Sequence, residues 1–94
     1  MIAIARPLFS LGEIVATAGA TELLQSAAVD PAKLLRRHET GNWVELDDEG
    51  CQANLDAIES GHEIFSCYSI QGQRVYIITE ADRSSTCIML ESEY

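Results

Sequence analysis

The side chains best suited to chemistry are few in this chain. His38 has a side chain that changes charge near neutral pH, so it is the natural candidate for a general acid or base. It stands at the end of a helical pattern, where the helix dipole favours a cation, and a C-terminal cap bonded to backbone carbonyls is the competing reading. His62 follows Gly61 at a strand start and is expected on the surface. The loop Glu80-Ala81-Asp82-Arg83-Ser84-Ser85-Thr86 is dense in polar groups. Asp82, Arg83 and Ser84 there could hold an anion, with Arg83 and backbone N–H groups as donors. The alternative is a hairpin turn in which Asp82 bonds backbone N–H groups and Arg83 pairs with a neighbouring carboxylate. Ser84 lacks the Gly-x-Ser-x-Gly setting of a nucleophile elbow. The three cysteines, Cys51, Cys67 and Cys87, show no Cys-x-x-Cys spacing and no metal-ligand pairing with histidine. They are expected to be reduced core residues. No phosphate-binding loop, dinucleotide fingerprint or zinc set is present, so no cofactor and no metal is expected.

The second chemical signal is charge. Fifteen acidic residues face six basic ones, for a net charge of -9. From His38 to Gln73 there is no Lys or Arg, while Glu39, Glu45, Asp47, Asp48, Glu49, Asp56, Glu59 and Glu63 all fall there. Direct binding of nucleic acid is disfavoured, because affinity for phosphate comes from Lys and Arg. An acidic surface of this kind either keeps a small domain soluble or docks on a basic protein. The docking reading assigns partner contacts to Glu45, Asp47, Asp48, Glu49, Asp56, Glu59 and Glu63. Trp43, set between Gly41 and this run, either plugs the core or anchors the interface.

The elements that position these residues follow from spacing. Ninety-four residues support one domain, residues 1–94, with one core. Apolar residues make up 47% and charged residues 22%, the balance of a globular chain. Residues 1–16 are apolar but aperiodic, broken by Pro7 and Gly12, and are expected to form an arm or a short strand. Ile2 to Ala5 is too short for a secretory signal and no run reaches membrane-spanning length, so a cytoplasmic protein is expected. Residues 17–61 form the helical part. Thr17 caps a first helix over about residues 18–28, with Ala20, Leu23, Leu24, Ala27 and Ala28 on one face. Asp30-Pro31 starts a second, running to about His38. Asp47 caps a third, which places Cys51, Leu55 and Ile58 in a buried stripe and ends at Gly61.

Residues 62–94 then change to β-branched and aromatic composition. Strands are expected at Ile64–Ile70, Arg74–Thr79 and Thr86–Glu91, the first two joined by a tight Gln71-Gly72 turn. Tyr68 and Tyr76 are candidates for pairing across that hairpin. The fold class is α+β, with three N-terminal helices on one face of a C-terminal three-stranded antiparallel sheet. The expected core comprises Leu23, Leu24, Leu35, Leu55, Ile58, Ile77 and Ile88.

The segments LGEIVATAGATELL, LLRRHETGNW and VYIITEADRSSTCIML, with the closing EY, resemble a family of small bacterial plasmid-related proteins carried on plasmids, prophages and integrated elements. The resemblance spans nearly the whole chain. Where the family has Gly-Asp-Trp-Gly after the central histidine, this chain has Gly41-Asn42-Trp43-Val44. Ala18 and Ser92 replace prolines that are frequent in the family. The resemblance implies a mobile element as context and assigns no activity. With the acidity, it makes a non-catalytic inhibitor or modulator of a host nucleic-acid enzyme or defence complex, of anti-CRISPR or anti-restriction type, the leading expectation. An accessory dimeric interaction module is the alternative. A small enzyme using His38 and the Asp82-Arg83-Ser84 loop comes third.

Overall fold

A computed structural model describes residues 6–94. The chain runs β1 (Glu13–Ala16), α1 (Ala18–Ser26), α2 (Pro31–Glu39), α3 (Asp48–Ser60), β2 (Ile64–Ile70), β3 (Gln73–Thr79) and β4 (Ser85–Leu90), and ends in a 3-10 turn, Glu91–Glu93. The helix starts are those that side-chain capping dictates. Thr17, Asp30 and Asp47 accept hydrogen bonds from Ala20 N, Ala32 N and Gly50 N, so each supplies an acceptor to a backbone donor that has no partner within its helix. The first helix ends at Ser26 rather than Ala28, because Ala28 takes a left-handed φ of 54° and turns the chain toward α2. Gly61 closes α3 in the left-handed region. Gln71 and Gly72 both have positive φ, the geometry of a type I′ hairpin turn, whose twist matches that of the flanking strands.

The sheet has four strands in the order β1-β4-β3-β2. This corrects the expectation of a three-stranded antiparallel sheet. β2, β3 and β4 are antiparallel neighbours, but β1 joins the edge parallel to β4, with Glu13 opposite Ser85 and Ala16 opposite Ile88. The expected arm at residues 1–16 is therefore partly a strand, and its residues 1–5 lie outside the described residues. β1 has no alternating pattern because all four of its residues are exposed, so periodicity could not reveal it.

The helices cover one face of the sheet. There Leu23 and Leu24 of α1 and Leu34 and Leu35 of α2 pack on Tyr68, Val75, Ile77 and Ile88. A second cluster, Trp43, Ala57 and Ile64, lies under α3. Strand alternation sends Phe65, Cys67, Tyr76, Ile78, Cys87 and Met89 to the opposite face. The two tyrosines are thus not a cross-strand pair. Tyr68 faces Val75, whereas Tyr76 faces Cys67 and packs edge-on against Phe65 and Tyr94.

One expectation for the core is corrected. Leu55 is not buried; it is 48% exposed. The inward stripe of α3 is Cys51, Asn54, Ala57 and Ile58. Asn54 takes the inward position because β2 is an edge strand with unpaired backbone groups beside α3. Its Nδ2 donates to Phe65 O at 2.6 Å and its Oδ1 accepts from Phe65 N at 3.0 Å. Cys67 and Cys87 are free thiols on the face away from the helices, with Cys67 buried and Cys87 half-buried. Among the described residues no helix is long and apolar enough to cross a membrane.

Candidate functional site

His38 lies at the centre of the molecule with no solvent exposure. The last turn of α2 directs it between the sheet and the N-terminal segment, where Phe9 packs edge-on against its ring at 5.1 Å. Nδ1 meets the Ser66 hydroxyl and Nε2 meets Thr79 Oγ1 at 2.8 Å. Thr79 Oγ1 meets Thr86 Oγ1 at 2.7 Å, and Thr86 donates to Leu11 O at 2.7 Å. The proton positions follow from the last contact. A hydroxyl has one proton, and that of Thr86 is used on a carbonyl, so Thr79 must donate to Thr86. Thr79 then accepts from His38 Nε2–H, and Nδ1, left as an acceptor, receives the Ser66 proton. The chain of bonds reads Ser66 to His38 to Thr79 to Thr86 to Leu11, and it fixes a neutral imidazole protonated at Nε2. Burial pushes the His38 pKa down to about 4, in keeping with a ring whose neutral form fits every neighbour.

This network ties β2, β3, β4, α2 and the N-terminal segment together and leaves no ring nitrogen for a substrate. The reading of His38 as a C-terminal cap whose ring bonds backbone carbonyls is corrected: its ring turns inward to hydroxyls, and its backbone carbonyl accepts from Trp43 Nε1 at 3.0 Å. Trp43 is 4% exposed. It is a core plug, and its placement among partner contacts is corrected on that ground. Ser66, Thr79 and Thr86 escaped notice in the sequence because hydroxyl residues in strands are common and only the sheet register aligns them.

The polar loop has a structural use for each member. Asp82 Oδ1 accepts from Ser84 N at 2.9 Å, and its hydrogen bonds with Ser84 hold the carboxyl below the usual carboxylate range. Arg83 does not pair with a carboxylate. Its guanidinium donates to the carbonyls of Ala57, His62, Glu80 and Ala81 at 2.7–3.1 Å. It caps the C-terminal end of α3, where carbonyls lack partners and the dipole is negative. Phe9 stands between it and His38, stacked 5.8 Å below the guanidinium. The structure therefore does not bring His38 together with Asp82, Arg83 and Ser84 in one open site, and both terminal nitrogens of Arg83 already donate to carbonyls.

The acidic residues divide in two. Glu45 and Asp47 serve the fold: both Glu45 oxygens accept from Ser69 N, at 2.8 and 3.0 Å, and Asp47 caps α3. Asp48, Glu49, Asp56, Glu59 and Glu63 are exposed. On α3 the positions 48, 52, 55, 56 and 59 fall at i, i+4, i+7, i+8 and i+11, one outward stripe. That stripe reads Asp48, Gln52, Leu55, Asp56 and Glu59, with Glu49 beside it, and α3 contains no cation. Among the described residues the ion pairs are Arg36 with Glu39 and Arg74 with Glu91, both away from this stripe. Compared with protein-family models, with characterised proteins and with solved structures, the chain matches none of them.

Proposed function

We propose that the protein is a non-catalytic binding protein that docks through the outer stripe of α3 on the basic surface of a protein partner. The observation that carries this reading is Leu55, an exposed leucine set among Asp48, Asp56 and Glu59 on a helix that contains no cation. Carboxylates alone would serve solubility. A large apolar side chain in their midst adds a contact that gains only when a partner covers it. The carboxylates would speed encounter and set orientation, and Leu55 would slow dissociation. Glu49 to Asp56 spans about 10.5 Å along the helix axis, enough to lay charges along a groove that otherwise holds phosphates. On the resemblance to proteins of mobile elements, the partner is a host nucleic-acid enzyme or defence complex, which the protein inhibits or modulates by occupying such a groove.

The test begins with capture from the host and identification by mass spectrometry, followed by calorimetric titration with the purified partner. The double reversal Glu49→Lys with Asp56→Lys is expected to weaken binding more than ~10-fold, an effect that added salt mimics in the wild type. Leu55→Ala is expected to weaken binding several-fold while changing stability by less than ~0.5 kcal/mol, because the side chain is exposed. Full affinity in the folded double reversal, with no response to salt, would leave the stripe as a solubility feature only.

A further inference from the structure

We propose that the protein forms a two-fold dimer in which the β1 strands of two copies pair antiparallel about Val15, joining two four-stranded sheets into one. The two edges of the sheet are treated differently. At the β2 edge, Asn54 occupies both backbone groups of Phe65 and Glu45 occupies the Ser69 amide, a side-chain plug against further strands. At the β1 edge no side chain among the described residues forms such a plug. The amides of Glu13 and Thr17 point inward, to Ser84 O and Ile88 O, so strand alternation sends the N–H and C=O of Ile14 and Ala16 outward. The strand carries no Lys and no Pro, and its two large apolar side chains are uncovered, Ile14 by 50% and Val15 by 43%.

These outward groups are self-complementary. With the two-fold axis at Val15, Ile14 of each copy lies opposite Ala16 of the other, and each such pair exchanges both its N–H···O bonds. Val15 meets Val15 at the axis in the close, non-hydrogen-bonded position. Glu13 falls opposite Thr17 rather than opposite the other Glu13, so no like charges face each other across the seam. A two-fold axis makes the contact closed and isologous, which consumes the edge and stops growth at two copies.

This inference does not rest on the acidic stripe, and salt separates the two. Each copy carries -9, so screening strengthens the dimer, whereas it weakens docking on a basic partner. Sedimentation of the full chain across a dilution series should give twice the monomer mass of 10.3 kDa, shifting further to dimer as salt rises. Val15→Lys, which sets two cations face to face, and Ala16→Pro, which removes an outward amide that the fold does not use, should both sediment as monomers with wild-type circular dichroism. Val15→Cys should form an intermolecular disulfide absent from the wild type, since Cα atoms about 4.5 Å apart in such a pair fall within disulfide range. If the variants fail to fold, amide exchange of the wild type decides. The Ile14 and Ala16 amides should be protected in proportion to dimer. A monomer at every concentration, a dimer that survives Val15→Lys, or protection of these amides that is independent of concentration would each overturn the proposal.

Discussion

His38→Ala is expected to cost about 3–5 kcal/mol, a large part of the stability available to a domain of this size. The substitution opens a cavity under Phe9 and takes a partner from each of two buried hydroxyls. Ser66 loses the acceptor of its proton, which costs about 1–3 kcal/mol for a buried polar group, while Thr79 loses a donor but still donates to Thr86; the lost packing of the ring adds the rest. The same ring makes stability depend on pH in a calculable direction. Its pKa is about 4 when folded and 6.5 in the unfolded chain, so between these values the unfolded chain binds a proton that the native protein does not. Stability is therefore complete above about pH 6.5, falls as pH drops, and has lost about 3 kcal/mol by pH 4. The carboxyls of Asp82 and Glu93, held low by hydrogen bonds from Ser84 and Thr17, add their own losses at lower pH. Urea denaturation at neutral pH and again near pH 4.5 should show the loss in the wild type. His38→Gln should be weaker at neutral pH yet nearly free of the slope above pH 4.5. A wild-type midpoint that does not move over this interval would mean that the ring is charged or reaches water.

Gly12→Ala is expected to destabilise by about 3 kcal/mol or more, although a single methyl group is added to a surface segment. Two independent costs act there. Gly12 has φ of 64°, a conformation that costs an L-residue about 1–2 kcal/mol. A Cβ at this position would also run into the backbone carbonyls of Arg83 and Ser84, which are held by the Arg83 cap on α3 and by the pairing of Glu13 N with Ser84 O. Relief requires β1 to move off β4. Gly72 supplies the control. It shares the positive φ but opens on empty space, so Gly72→Val should cost only about 1 kcal/mol. Thermal melts of the two variants separate strain alone from strain with collision. Equal losses would show that the 83–84 loop yields.

Much of the scaffold could be read from local chemistry. Capping by Thr17, Asp30 and Asp47, the Asp30-Pro31 start, the Gly61 stop and the Gln71-Gly72 turn each depend on a few neighbouring residues, and all appear where local rules place them. The stripe of α3 failed for a definite reason. Periodicity seeks apolar residues, but the inward position beside an edge strand went to Asn54, because two backbone groups of Phe65 needed partners more than the helix needed Leu55. Trp43 was open to two readings because burial is a property of its surroundings rather than of the residue.

Composition and spacing alone determined an α+β chain, the order of its helices and hairpin, and an acidic stretch without cations. Those properties reside in contiguous residues, where helix caps, turns and charge runs act over one or two turns of chain. Tertiary structure alone decided the fourth strand, the Ser66–His38–Thr79–Thr86 network and the exposure of Leu55. Each arises from residues far apart in sequence, aligned by strand register and by the depth at which a helix seats. Pairing β1 with β4, or Ser66 with His38, costs loop-closure entropy that only the assembled core offsets. No local pattern records that balance.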